Sequence, residues 1–141
     1  MLILSFNTNA KSIKNKTYGN LIVSEIVSIY DGDTFKANIK DIHPLIGERI
    51  GIRLVGIDTP EIRSKCKSEK ALARKAKQFT VNFLRSAEVI ELRNVKRDKY
   101  FRIDAEVYGD GVSLYDLLLS NGLGVKYTGG KKKDWCENEI N

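Results

Sequence analysis

Two β-rich runs on either side of one Asp-Gly pair constrain this chain most. Leu21 to Tyr30 and Thr34 to Ile39 are dense in branched apolar residues, with Asp31-Gly32 between them. Gly supplies the positive φ that a tight turn demands, so the pattern predicts an antiparallel hairpin. After a loop through His43 and Pro44, a third strand is expected over Glu48 to Ile57. Ile50, Ile52 and Leu54 share one of its faces, and Arg53, Val55 and Ile57 the other, as in a barrel strand packed on both sides. Arg53 is the polar intrusion. Burying part of a guanidinium is costly without anionic partners, so its position reads as functional.

That strand runs into a turn, Arg53-Leu-Val-Gly-Ile-Asp-Thr-Pro-Glu61. Pro60 fixes its own φ and pushes Thr59 into an extended conformation, so the ladder cannot continue past it. Asp58 and Glu61 are thereby presented at a sheet edge beside Arg53. Carboxylates hold a hard cation and arginine grips phosphate in a fork, so the group suits a metal ion with an anionic oxygen substrate.

A helix is expected over Glu69 to Arg85 with Ser68 as N-cap, a buried stripe of Leu72, Ala76, Phe79 and Phe83, and Lys70, Arg74, Lys75 and Lys77 on a solvated face. Strands follow around Ala87 to Val95 and Arg102 to Tyr108, then a turn at Gly109 to Gly111. Ser113 and Asp116 form a capping box for a short helix that Gly122 ends. The order β-β-β-α-β-β-α predicts an α+β, mainly β fold: a five-stranded OB-type barrel with two to three helices. Residues 1–19 read as an arm, 20–128 as the domain and 129–141 as a basic tail.

The chain has 141 residues and a net charge of +6, which favours a polyanionic partner, most simply nucleic acid. No run approaches the ~18 apolar residues of a spanning helix, so no membrane association is expected. The apolar start, Met1 to Phe6, is too short for a signal core and lacks a basic flank. The protein is then cytosolic, or a leader was removed before this numbering begins. Cys66 and Cys136 are too few for a disulfide scaffold or a structural zinc site, and one bridge between them stays open as an alternative to free thiols. His43 reads as a loop residue and Trp135 as a packing anchor for the tail.

Three motifs complete the pattern: Tyr30-Asp-Gly-Asp-Thr34, the Arg53 to Glu61 stretch, and Asp98-Lys-Tyr-Phe-Arg102. In this order and spacing the chain resembles the staphylococcal nuclease (thermonuclease) family over roughly Leu21 to Tyr127. The resemblance implies a Ca²⁺ site made by Asp33, Asp58 and the carbonyl of Thr59. It implies Glu61 as general base, Arg53 and Arg102 as neutralisers of phosphoryl charge, Lys99 and Tyr100 on a neighbouring phosphate, and Tyr127 beside a bound nucleotide. Its activity would be Ca²⁺-dependent, sequence-nonspecific hydrolysis of DNA and RNA to 3′-phosphate products by a monomer. Phosphate contacts position a substrate without specifying its sequence.

The chain departs from that family in places. Phe101 stands where the family has Gly, and Asp104 is a carboxylate able to pair with Arg102. A long terminal helix is replaced by Gly129 to Cys136. That ending resembles a bacterial branch of the family, which implies a Cys66–Cys136 disulfide and export to an oxidising compartment, periplasmic or secreted. The competing reading is a catalytically silent OB-fold nucleic-acid-binding module. Carboxylates repel phosphate, so Asp33, Asp58 and Glu61 beside the arginines speak against it. A protein-interaction domain with incidental charge is a further rival.

Overall fold

The computed structural model describes residues 16–136, so most of the expected N-terminal arm and the last five residues of the expected tail lie outside the described residues. In chain order the elements are β1 (Leu21–Ile29), β2 (Thr34–Ile39), α1 (Pro44–Gly47), β3 (Ile50–Leu54), β4 (Ile57–Asp58) and α2 (Lys67–Ser86). They continue with β5 (Ile90–Arg97), β6 (Arg102–Gly109), β7 (Val112–Ser113), α3 (Leu114–Ser120) and β8 (Val125–Lys126).

β1 forms antiparallel pairs with β2 and with β5; β2 pairs with β3, and β5 with β6. β6 then lies parallel to β3, with Gly51 opposite Arg102 and Arg53 opposite Asp104. This last pairing closes a five-stranded barrel of OB type, mainly β with three helices, as the sequence pattern predicts. Phe35, Ile52, Leu54, Leu92, Val107, Leu114 and Leu118 are all but fully buried inside it. Burying each such side chain stabilises the fold by roughly 1.5–3 kcal/mol.

The expected third strand is broken. The alternation runs on to Ile57, but Gly56 takes a φ of +80°, which turns the chain out of the barrel after Leu54. β4 pairs with β8 instead, Asp58 opposite Val125. The Arg53 side chain bridges the break, donating to the carbonyls of Leu54 at 2.8 Å and Ile57 at 3.0 Å. Guanidinium and turn fix one another.

The hairpin is as expected, but its glycine has a different task. Gly32 is not at a positive φ. A Cβ there would lie 3.0 Å from the Cβ of Ala76 and 3.1 Å from the Thr59 methyl, so Gly32 lets α2 and the Pro60 turn close on the loop. Thr80 of α2 donates to the Gly32 carbonyl at 2.7 Å, locking the approach.

The helix start also differs. α2 begins at Lys67 with Cys66, not Ser68, as N-cap, and Cys66 makes no side-chain cap bond. Its fully buried side is Ala73, Ala76, Thr80 and Leu84, with Leu72, Phe79 and Phe83 packed at the margin of the core. Ser113 caps α3 by accepting from the Asp116 N–H at 3.2 Å, as the capping box predicts. His43 lies in no catalytic group; its Nδ1 accepts from the Leu45 N–H at 3.1 Å and opens α1, which the sequence reading leaves as loop.

Candidate active site

The end of β1, the end of β3, the Pro60 turn and the start of β6 meet at one rim of the barrel. They enclose a cleft of about 270 Å³ lined by Tyr30, Asp31, Asp33, Thr34, Arg53, Asp58, Thr59, Glu61, Arg102 and Lys132. All six residues expected to form the catalytic and metal groups are therefore brought together. Asp33, Asp58 and Thr59 are buried, at 5, 3 and 2% exposure, whereas the Glu61 side chain is 59% exposed. Three groups are buried and one lies at the open rim.

Asp33 is the hub. Its Oδ2 lies 3.0 Å from Arg53 Nη1 and accepts from the Thr59 N–H at 3.2 Å, while its Oδ1 accepts from the Thr34 hydroxyl at 2.9 Å. A single carboxylate thus ties hairpin, strand and turn. Thr59 Oγ1 is buried without a hydrogen-bond partner. Backbone N–H of Glu61 donates to Glu69 on α2 at 2.9 Å, so the main chain at Glu61 is pinned while its exposed carboxylate meets Lys132 at 3.4 Å.

Arg102 is held by Asp98, whose Oδ2 accepts from Nε at 3.1 Å and Nη2 at 2.7 Å. Its aliphatic stem crosses Gly51, where an added Cβ would lie 3.0 Å from Arg102 Cγ. Among the described residues no hydrogen bond or ion pair joins Asp104 to Arg102, although the Arg102 charge acts on that carboxyl. Asp104 Oδ1 is buried with no hydrogen bond, and burial, then the neighbouring Asp98, push that carboxyl above its ordinary value. Asp98 itself is held low: burial opposes this, but the Tyr100 N–H and the Arg102 guanidinium outweigh it.

Three further residues, Asp31, Lys132 and Trp135, meet at the site, where the sequence reading did not place them. Asp31 accepts from the Asp33 N–H at 3.1 Å, and burial, then the Asp33 charge, raise its carboxyl to about 7. It sits inside the Tyr30 to Thr34 motif, but no periodicity reports that a turn carboxylate is buried. Lys132 and Trp135 arrive from the far end of the chain. Lys132 Nζ is 3.4 Å from both Asp58 Oδ1 and Glu61 Oε1, and Trp135 Nε1 donates to Asp58 Oδ2 at 3.3 Å. Burial works against the Lys132 charge, yet Asp58 and Glu61 hold its ammonium above the ordinary value. Residues 129–136 thus run as a strap across the site. Cys66 and Cys136 are joined in a disulfide that anchors it.

The residues expected to touch substrate, Lys99, Tyr100 and Tyr127, lie outside the lining of the carboxylate cleft. Tyr100 is exposed, its ring 5.3 Å from the Arg102 guanidinium, and Lys99 lies 5.0 Å above that ring. Tyr127 is outside the carboxylate cleft. Its N–H donates to the Gly56 carbonyl at 2.9 Å, and it lines an adjoining hollow with Arg53, Asp98, Arg102 and Asp104. Cys66, Glu69 and Cys136 also come within ligand distance of one another. Their sulfurs are bonded together, which leaves no thiolate for a metal.

Residues 51–140 match the family model described as staphylococcal nuclease homologue. This chain belongs to that family. Among curated relatives, an uncharacterized protein of Bacillus anthracis is 28% identical over 118 residues, 82% of this chain and 52% of the relative. A probable endonuclease of Phaeosphaeria nodorum is 31% identical over 104 residues, 72% of this chain and 31% of the relative. The chain thus spans about half the length of the first and a third of the second. As a staphylococcal nuclease homologue it carries the matched residues from β3 onward; the hairpin that supplies Asp31 and Asp33 precedes them, and geometry alone puts those carboxylates in the cleft.

Proposed function

We propose that this domain is a calcium-dependent nuclease that hydrolyses DNA and RNA without sequence preference and leaves 3′-phosphate ends. One observation carries the reading: Arg53 and Arg102 line the same small cleft as Asp33, Asp58 and Glu61. A module that only bound phosphate would gain from the arginines and lose by the carboxylates.

The donors suit a hard cation. They are all oxygens, several are buried, and Thr59 Oγ1 lacks a partner. Asp33 and Asp58 would hold calcium through carboxylates and Thr59 through its carbonyl. Bound there, calcium supplies positive charge where the phosphoryl group becomes more negative. Lys132 is the resident counter-charge and gives way when the site is filled.

Glu61 takes the proton from a water whose oxygen forms the new bond to phosphorus. The bond from phosphorus to the 5′ oxygen breaks, and a proton passes to that leaving oxygen. Arg53 keeps Nε–H and one Nη2–H, beyond those that meet Leu54, Ile57 and Asp33, for a phosphate oxygen, and Arg102, fixed by Asp98, supplies the second guanidinium. Neither needs to reorganise as charge builds up, so each stabilises the transition state more than the ground state. Every group comes from one chain, so a monomer suffices, and the disulfide suits an oxidising compartment such as the periplasm or the exterior. Mass analysis of the products of a defined oligonucleotide tests the chemistry: 3′-phosphate and 5′-hydroxyl ends are expected, and 5′-phosphate ends would overturn the assigned direction of attack.

A further inference from the structure

Beside the carboxylate cleft lies a groove of about 650 Å³ that shares Tyr30, Thr34 and Arg102 with it. Its lining is aromatic and basic. Tyr30, Tyr100 and Phe101 are 50, 66 and 72% exposed, and Lys36, Arg49 and Lys77 stand among them, with Glu48 as the acidic residue of the wall. Leu45 and Ile46 of α1 also face the groove and are exposed.

Phe101 is the decisive residue. It sits at φ +55°, a left-handed conformation that disfavours any side chain, and its ring is exposed to solvent. The turn would form more easily with Gly, and the core gains nothing from the ring. Strain retained at an exposed aromatic beside a cleft points to a use outside folding. Rings interleaved with cations match one ligand chemistry, a nucleic-acid strand whose base faces are open, because bases stack on the rings while phosphates meet the cations. Bases inside a duplex offer only edges.

We propose that this groove carries the single-stranded stretch of substrate that flanks the phosphate in the cleft, with bases stacked on Phe101, Tyr100 and Tyr30 and phosphates drawn by Lys36, Arg49 and Lys77. The proposal rests on the nuclease reading and deepens it by fixing where the strand leaves the cleft. Arg102, common to both hollows, marks the junction.

Fluorescence anisotropy with labelled oligothymidylate, in chelator and with the whole protein, tests it. Phe101→Ala and the double change Arg49→Ala with Lys77→Ala should each weaken binding by at least about fivefold, the low end for loss of one stacked base. Phe101→Tyr should bind like the parent, which separates loss of the ring from loss of the fold. Binding of a blunt duplex should be indifferent to Phe101→Ala. Unchanged oligothymidylate affinity in both variants, or equal losses for duplex, would overturn the proposal. A nitrophenyl phosphodiester of thymidine, which fills only the cleft, should be hydrolysed by the parent with calcium and not in chelator. Failure of every protein to hydrolyse it would instead count against the nuclease reading and leave the binding comparison to judge the groove.

Discussion

Asp31 shows how much a single buried group decides here. The folded protein holds its proton up to about 7, whereas an ordinary carboxyl releases it near 3.8. Between those values the folded state binds more protons than the unfolded chain, so stability falls as pH rises through the window. Urea unfolding in chelator across that range should show this decline, and Asp31→Asn should flatten it. An equal slope in the variant would place the effect elsewhere. Arg53, Asp58 and Glu61 stood out because a strand runs there into a proline turn, whereas Asp33, Thr59 and Arg102 were reached through the family resemblance that the three motifs carry. Asp31 and Asp98 were not singled out, since both act through Asp33 and Arg102, and no spacing rule reports a partner's hydrogen bond. Gly32 was legible as a hairpin glycine for the wrong reason: its task is a close approach to α2, which depends on contacts absent from the local sequence.

Among the elements, the β5–β6 link matters most, because it aims Arg102. The link is closed by the Asp98 N–H donating to the Arg102 carbonyl at 3.0 Å and by Asp98 Oδ1 accepting from the Tyr100 N–H at 2.7 Å, with Phe101 left at a positive φ. Relieving that φ with Phe101→Gly should stabilise the protein by about 1 kcal/mol, read as a higher denaturant midpoint at unchanged slope. A destabilised variant would mean that the exposed ring contributes to the fold. The barrel strands were legible in kind, since alternation and the Asp-Gly turn are local signals. Their ends were less so. Gly56 broke an alternation that continued in sequence, α1 with four residues is too short to show a period, and the start of α2 lies at Cys66, not at the capping-type Ser68.

At the scale of the molecule the disulfide joins residues 70 apart and draws the last described stretch across the cleft. No local pattern could show Lys132 and Trp135 reaching Asp58, because that contact exists only after the chain has closed on itself. Closing a loop of that length contributes about 4 kcal/mol on the chain-entropy model. Cys136→Ser or reduction should therefore lower the melting temperature while leaving the far-ultraviolet spectrum of the barrel intact; an unchanged melting temperature would show that the strap bears no part of the stability. The centre of the account is the cleft itself, and it is tested most directly by degradation of single-stranded and duplex DNA with calcium, with magnesium and with chelator, comparing the parent with Glu61→Gln. The account predicts calcium-dependent cleavage that chelator abolishes and that Glu61→Gln lowers by about 10²-fold or more, the scale of loss for a general base. Salt-sensitive binding without cleavage under any metal would contradict it and leave a binding module in its place.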